Sequence, residues 1–297
     1  MKQKIAFIGA GKVAHSLVPA LKEKRFEITQ IISNSLDSAE ELAKNYNIKK
    51  FSCNLNDLSE ENDIICLTVP DDQIKSVADN IAGLSVDLQF KKFIHFSGAR
   101  NINDLQSLSD KGAIAAGIHI MQTFPNKNRM KIDSDFAAIE CKDEKFKKEL
   151  FELTAEVNLN AFEIKSEQKI FYHLLGVFAS NFLVANFIAI ENLSKSAGLK
   201  PELTSAYLES IVKATFENIK KHGASEAMSG VVVRKDFFTI EKHIEVLREK
   251  PDILKIYLSS QLLLVKIRMK DSPEDSELNF LRQKLEKEFH RINQDFT

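Results

Sequence analysis

Apolar and polar positions repeat with two different periods along the first half of the chain. Residues 4–8 form a short apolar run closed by Gly9, and residues 11–24 carry Val13, Leu17 and Leu21 at helical spacing. This opening predicts a strand, a tight turn and a helix. Pro19 falls inside that helix, where it removes one backbone donor and predicts a bend. A second strand and helix follow at 26–33 and 38–46. Residues 63–69 read Asp-Ile-Ile-Cys-Leu-Thr-Val, apolar enough for a strand buried on both faces, and Pro70 ends it. A helix over 71–81, strands over 92–97, 113–120 and 135–140, a charged helix over 142–157 and an edge strand over 160–165 complete this half. Strand and helix pairs at this spacing imply right-handed crossovers and an α/β fold, a doubly wound, mostly parallel Rossmann sheet over residues 1–165.

The pattern then changes to helical periodicity alone, with helices expected over 168–197, 206–222, 239–250, 251–269 and 273–289. Residues 166–297 are therefore an all-helical second domain, marked off by this shift rather than by a linker. One stretch, 174–190, is apolar enough to raise the question of a membrane span. Ser180, Asn181 and Asn186 interrupt it and it is barely long enough to cross, so the reading is a buried helix whose domain pairs with a second copy in a homodimer.

Composition narrows the picture. The chain has 297 residues, 44% hydrophobic and 28% charged, enough apolar material for a sizeable core. With 41 Lys+Arg against 42 Asp+Glu the net charge is -1, which gives no electrostatic footprint for nucleic acid. Cys53, Cys66 and Cys141 are scattered, without metal-type spacing, which suits a reducing compartment and offers no zinc site. The N-terminus runs straight into a strand pattern with no signal-like stretch, so a cytoplasmic address is expected.

Gly9-Ala10-Gly11-Lys12-Val13-Ala14 fits G-x-G-x-x-A between a strand and a helix. Gly9 permits the turn, Gly11 lets a pyrophosphate approach the helix N-terminus, and Ala14 keeps helix and sheet close. An S-adenosylmethionine-binding sheet also begins with a glycine turn. About 20 residues further, where NAD sites place an acid, this chain has Ser33-Asn34-Ser35. Without a carboxylate to repel a 2′-phosphate, NADP is favoured over NAD. Thr68-Val69-Pro70-Asp71-Asp72 and His95-Phe96-Ser97-Gly98 end strands on the same rim, which holds the ligand in such sheets. Thr68, Val69, Pro70, Asp72, Ser97 and Gly98 are thus candidate cofactor contacts, and a loop Ser and a turn Gly are the plainer reading of the last two.

Gly117-Ile118-His119-Ile120-Met121-Gln122-Thr123 crowds polar groups at another strand end, where His119 either moves a proton or serves structure. On the first helix of the second domain His173, Val177, Ser180 and Asn181 fall near one face. They line a cleft or form a buried network. Arg234 lies in an extended stretch, 229–236, leading into a helix. It either clamps an anionic group or makes a surface pair with Asp236 beside a Thr239 N-cap.

Taken together these segments resemble a family that joins a Rossmann-like domain to a helical C-terminal domain of unknown function, of the NADP- or deazaflavin-dependent oxidoreductase type. The resemblance extends more distantly to pyrroline-5-carboxylate reductase, prephenate dehydrogenase and the β-hydroxyacid dehydrogenases, with a 6-phosphogluconate dehydrogenase C-terminal-like helical half. It implies that His119, Gln122, Thr123, His173 and Asn181 border an interdomain cleft that holds the substrate, with Arg234 and Asp236 approaching it from the helical domain or from a partner subunit. Ile120, Val231 and Lys235 depart from the family pattern. The expectation is an NADP-dependent oxidoreductase of a small anionic C=O or C=N substrate. Its catalytic set is His119, His173, Asn181, Ser97 and Arg234, with no metal. The alternatives are a nucleotide-sensing protein without turnover and, third, a methyltransferase.

Overall fold

The computed structural model describes residues 3–294. The strands are β1 (Lys4–Ile8), β2 (Glu27–Ile32), β3 (Lys50–Ser52), β4 (Ile64–Leu67), β5 (Lys92–His95), β6 (Ile114–Ile120), β7 (Phe136–Cys141) and β8 (Asn160–Glu163). They form one sheet in the order β3-β2-β1-β4-β5-β6-β7-β8, parallel throughout except for the antiparallel β6–β7 pair. The strand order reverses direction between β1 and β4, the place where doubly wound sheets open a ligand crevice.

Strand periodicity divides the core. Ile5, Phe7, Ile64 and Cys66 face one side of the sheet, where α1 (Lys12–Lys22), α2 (Leu36–Asn45) and, further along the sheet, α5 (Glu144–Glu156) add Ala14, Leu17, Leu42, Phe146 and Leu150. Ala6, Ile8, Ile65 and Leu67 face the other, against Ile74, Ala78 and Ile81 of α3 (Ile74–Ala82) and Leu108 of the short α4 (Gln106–Ser109). With Ile, Leu and Phe on both sides, the central strands are as apolar as their sequence requires.

Several expectations are revised. The first helix is shorter than the expected 11–24, ending at Lys22 with Pro19 inside it. The stretch 71–81 begins with a 3₁₀ turn, Asp71–Gln73, before α3. β3 was not foreseen, since three residues carry no readable period. Residues 229–236 are not extended: Arg234 N–H donates to Gly230 C=O (3.2 Å) and Asp236 N–H to Val231 C=O (2.8 Å), a compact turn. The cap of the following helix is Asp236, which accepts from Thr239 N–H (3.1 Å), rather than Thr239.

The chain divides into two compact units between Leu183 and Val184, not after residue 165. The reason is that α6 (Ser166–Gly176) packs on the sheet through Lys169, and the helix continues through a π-helical turn, Val177–Asn181, into α7 (Phe182–Ser196). The second unit holds α8 (Pro201–His222), α9 (Phe237–Leu247), α10 (Pro251–Asp271) and α11 (Ser276–Gln294). Ile240, Ile244, Leu254, Leu258, Val265, Leu281 and Leu285 form its core.

The helix read as buried is exposed. Phe171, Leu175 and Phe178 are each 64–70% open to solvent, and none of the most apolar 18-residue window is buried. Among the described residues this is the one helix long and apolar enough, by length and composition, to cross a membrane.

Candidate functional site

β1 delivers the chain to Gly9 at φ +106°, a left-handed backbone region that favours glycine. A side chain there would sit 2.5 Å from the Thr68 carbonyl oxygen. Gly9 N–H donates to Ile32 C=O (2.7 Å), and Thr68 Oγ1 donates to Gly9 C=O (2.6 Å), so three strand ends lock this turn. Gly11 is the N-cap of α1, supplies no side-chain cap and lines a cavity of about 340 Å³ at the start of the helix, where first-turn N–H groups lack intrahelical partners. Gly9, Ala10, Gly11, Ser33, Asn34, Thr68, Val69 and Pro70 line it. The residues present therefore fit the pyrophosphate and ribose of a dinucleotide.

Other candidates stand back. Ala14 is buried behind the turn, Val13 packs against the core and Lys12 is exposed. Ser35 is the N-cap of α2, accepting from Ser38 N–H (3.3 Å). Asp72 is exposed and does not line the cavity. Among the lining residues that were not foreseen are Ser38, Gln73 and Lys127. The last arrives from the β6–β7 connection, too far along the sequence for any local signal.

A second cavity, of about 700 Å³, opens at the ends of β6 and α6. Its polar lining is His119, Gln122, Thr123, Tyr172, His173, Ser180 and Asn181, set among Met121, Phe124, Phe136, Phe162, Leu175 and Val177. None of the lining residues is Lys, Arg, Asp or Glu. Both imidazoles converge on Gly98: a side chain there would lie 2.5 Å from His173 Nδ1 and 2.9 Å from His119 Nε2. The rings stand edge to face, centroids 5.6 Å apart, and Tyr172 packs edge-on against His119 at the same distance. Beside Gly98, buried Ser97 donates to Asp71 (2.5 Å) and accepts from Arg100 N–H (2.9 Å). This fixes the backbone over which the histidines meet. The π turn sits at the cavity wall and brings Ser180 and Asn181 to it, an irregularity often found at functional sites. Gln122 is spoken for by Asp135 (3.1 Å) and by Thr123 N–H (2.8 Å).

Burial, helped by the neighbouring His173 and Lys169, pushes the His119 pKa down to about 4, against the pull of the Phe96 carbonyl and Asp71. His119 is thus an uncharged imidazole at neutral pH. His95, on the next strand, is held well below its ordinary value by burial, then by Lys169 and His119. Among the described residues its Nε2 has no hydrogen-bond partner. Beneath both lies a pair that sequence reading missed. Lys169, 1% exposed, places its ammonium 3.1 Å from the Glu140 carboxylate, 3% exposed, which also accepts from Ser166 Oγ and from Ile102 N–H (3.3 Å). Burial lowers the Lys169 pKa and Glu140 opposes the shift.

Arg234 belongs to the second unit, exposed on its turn. Its neighbours have local duties: Lys235 pairs with Asp275 (2.7 Å) and Glu277 (2.8 Å), and Asp236 caps α9. Among the described residues no cluster of three His, Cys, Asp or Glu has metal-binding geometry. Burial raises the thiol pKa of both Cys66 and Cys141, the latter to about 11, so neither is an activated nucleophile.

Comparison with known proteins matches both halves of the chain. Residues 4–94 match the family described as NADP oxidoreductase coenzyme F420-dependent, and residues 136–262 match a domain of unknown function (DUF2520). No curated protein matches the chain. Among solved structures, a Bacteroides fragilis protein assigned as an NADP oxidoreductase is 21% identical, over 89% of this chain and 98% of its own, with a TM-score of 0.75. A Thermotoga maritima protein is 27% identical over 90% and 99% of the two chains, TM-score 0.64. An imine reductase from Myxococcus stipitatus, solved with NADP+, is 13% identical over 98% and 93%, TM-score 0.61. The chain has the fold of Rossmann-type oxidoreductases, with a helical C-terminal region.

Proposed function

We propose that this chain is an NADP-dependent oxidoreductase that reduces, or forms by oxidation, a C=O or C=N bond in the cavity beside Gly98. The observation that carries the reading is the meeting of His119 and His173 over Gly98, on the strand-end rim that also carries the glycine turn. The nucleotide half of the reading is supported by the match of residues 4–94 and by the NADP+ complex of the imine reductase. When bound, the nicotinamide supplies a hydride to the carbon of that bond, and the heteroatom takes a proton.

The protein's own share is orientation and that proton. His119, uncharged, is a hydrogen-bonding wall. His173, half-buried at the cavity edge, is the proton donor to the heteroatom in reduction and its acceptor in oxidation. Asn181 orients the substrate, and Ser97, tied to Asp71, holds the floor. Arg234, expected to meet an anionic group, belongs to the other unit, and the described lining itself carries no cation that would partner a desolvated carboxylate. The substrate class is therefore an uncharged, largely apolar ketone, aldehyde or imine.

The exposed apolar stripe of α6 and α7 supports a homodimer formed through the helical region. The unpaired cysteines suit the cytoplasm.

His173→Ala is expected to lower turnover at least 100-fold with neutral carbonyl and imine panels while leaving NADPH affinity, read by nucleotide fluorescence, within twofold. Equal loss of both would assign His173 to cofactor binding. NADPH binding without oxidation across those panels would make the protein a nucleotide sensor instead.

A further inference from the structure

The β6–β7 connection runs back over the first helices and is pinned there. Met130 N–H donates to the buried Ser16 Oγ (3.0 Å), Arg129 pairs with Glu23 (2.7 Å), and Ile132 joins the core. This anchoring delivers Lys127 to the start of α2, where its Nζ donates to Ser38 Oγ (3.2 Å) and lies 3.6 Å from the Glu41 carboxylate. Of the residues lining the 340 Å³ nucleotide cavity, Lys127 is the one that carries a charge. The other groups beside it, Ser33, Asn34 and Ser38, are neutral donors and acceptors.

A carboxylate at the end of β2 would bind ribose hydroxyls and repel a phosphate. Ser33-Asn34-Ser35 has no carboxylate to repel it. A phosphate held only by hydroxyls and an amide would lack countercharge, and the first turn of α2 even carries Asp37. The missing charge comes from the far loop. The geometry points to Lys127 as the residue that reads the 2′-phosphate of NADP(H), with Ser33, Asn34 and Ser38 completing its seat. The phosphate takes the ammonium from Glu41, a pair exposed enough to exchange at little cost. An ammonium suits this role because it is a point charge with three donors on a flexible stem.

The assignment rests on the NADP reading above, and one titration separates the two. The full chain is titrated with NADPH and NADH by nucleotide fluorescence, with adenosine 2′-monophosphate as competitor. The wild type is expected to bind NADPH at least tenfold tighter than NADH. Lys127→Gln removes that difference, leaves NADH affinity unchanged and abolishes competition by adenosine 2′-monophosphate, whereas Lys127→Arg retains the preference. Unchanged NADH binding shows that the Gln variant is folded. A Lys127→Gln protein that still prefers NADPH overturns this assignment alone. A wild type that binds neither nucleotide, or prefers NADH, overturns the cofactor reading and this assignment with it.

Discussion

Burying an ammonium and a carboxylate side by side, as Lys169 and Glu140 are, costs several kcal/mol of desolvation per ion, which their attraction roughly offsets when both are fully bonded. Removing one partner leaves the other stranded. Lys169→Met is expected to lower unfolding free energy by about 3–5 kcal/mol, and Lys169→Met with Glu140→Leu to recover most of it, measured by urea denaturation. Equal losses in the single and double variants would show that the pair is not the source. The histidines above the pair give the molecule a pH dependence. The unfolded chain takes up a proton on His119 near pH 6.5, while the folded protein resists until about pH 4. His95 and His15 are shifted the same way, in each case first by burial. Stability is therefore full above pH 6.5 and falls as pH drops toward 4, His119 alone contributing roughly 3 kcal/mol at 1.4 kcal/mol per pKa unit. The urea midpoint should decline steadily from pH 7 to pH 5, less steeply in His119→Asn. A flat profile would mean that these imidazoles take up protons as readily in the folded protein as in the unfolded chain.

Elements differ in how far their sequence announces them. The glycine turn was legible because three constraints coincide within six residues: a strand end, a positive φ at Gly9 and a helix that must approach the sheet at Ala14. The run from Ile64 to Leu67 was legible because a strand covered on both faces has to be apolar throughout. What could not be read lies between elements. Lys127 meets Ser38 across 89 positions, and Lys169 meets Glu140 across 29, through a fold whose register no local pattern encodes. The π turn gives no compositional sign, so regular helical spacing could not show the geometry by which His173, Val177, Ser180 and Asn181 come to line one cavity. Ser229–Asp236 read as extended because Val231, Val232 and Val233 favour strands. The bonds from Arg234 and Asp236 back to Gly230 and Val231 decide otherwise.

For the whole molecule the open question is what covers the helix that runs from Ser166 to Ser196. Phe171, Leu175, Phe178 and Phe182 recur at intervals of four, three and four residues, a continuous apolar stripe that water meets in the single chain. A bilayer is one possible cover, but the same helix begins by sealing Lys169 against Glu140 and turns His173, Ser180 and Asn181 to a polar-edged cavity. A lipid-facing helix leaves no place for such neighbours unless they are enclosed by protein. A second copy would cover the stripe, with Leu175 at the cavity's edge, since a twofold axis brings like stripes together. Sedimentation should therefore give twice the 33.6 kDa chain mass. Phe171→Asp with Phe182→Asp should return the protein to a single copy, because a charge buried in a dimer interface is far costlier than one left in water. A wild type that sediments only as the single chain, or one that floats with lipid vesicles, would exclude this arrangement and leave the stripe to another partner.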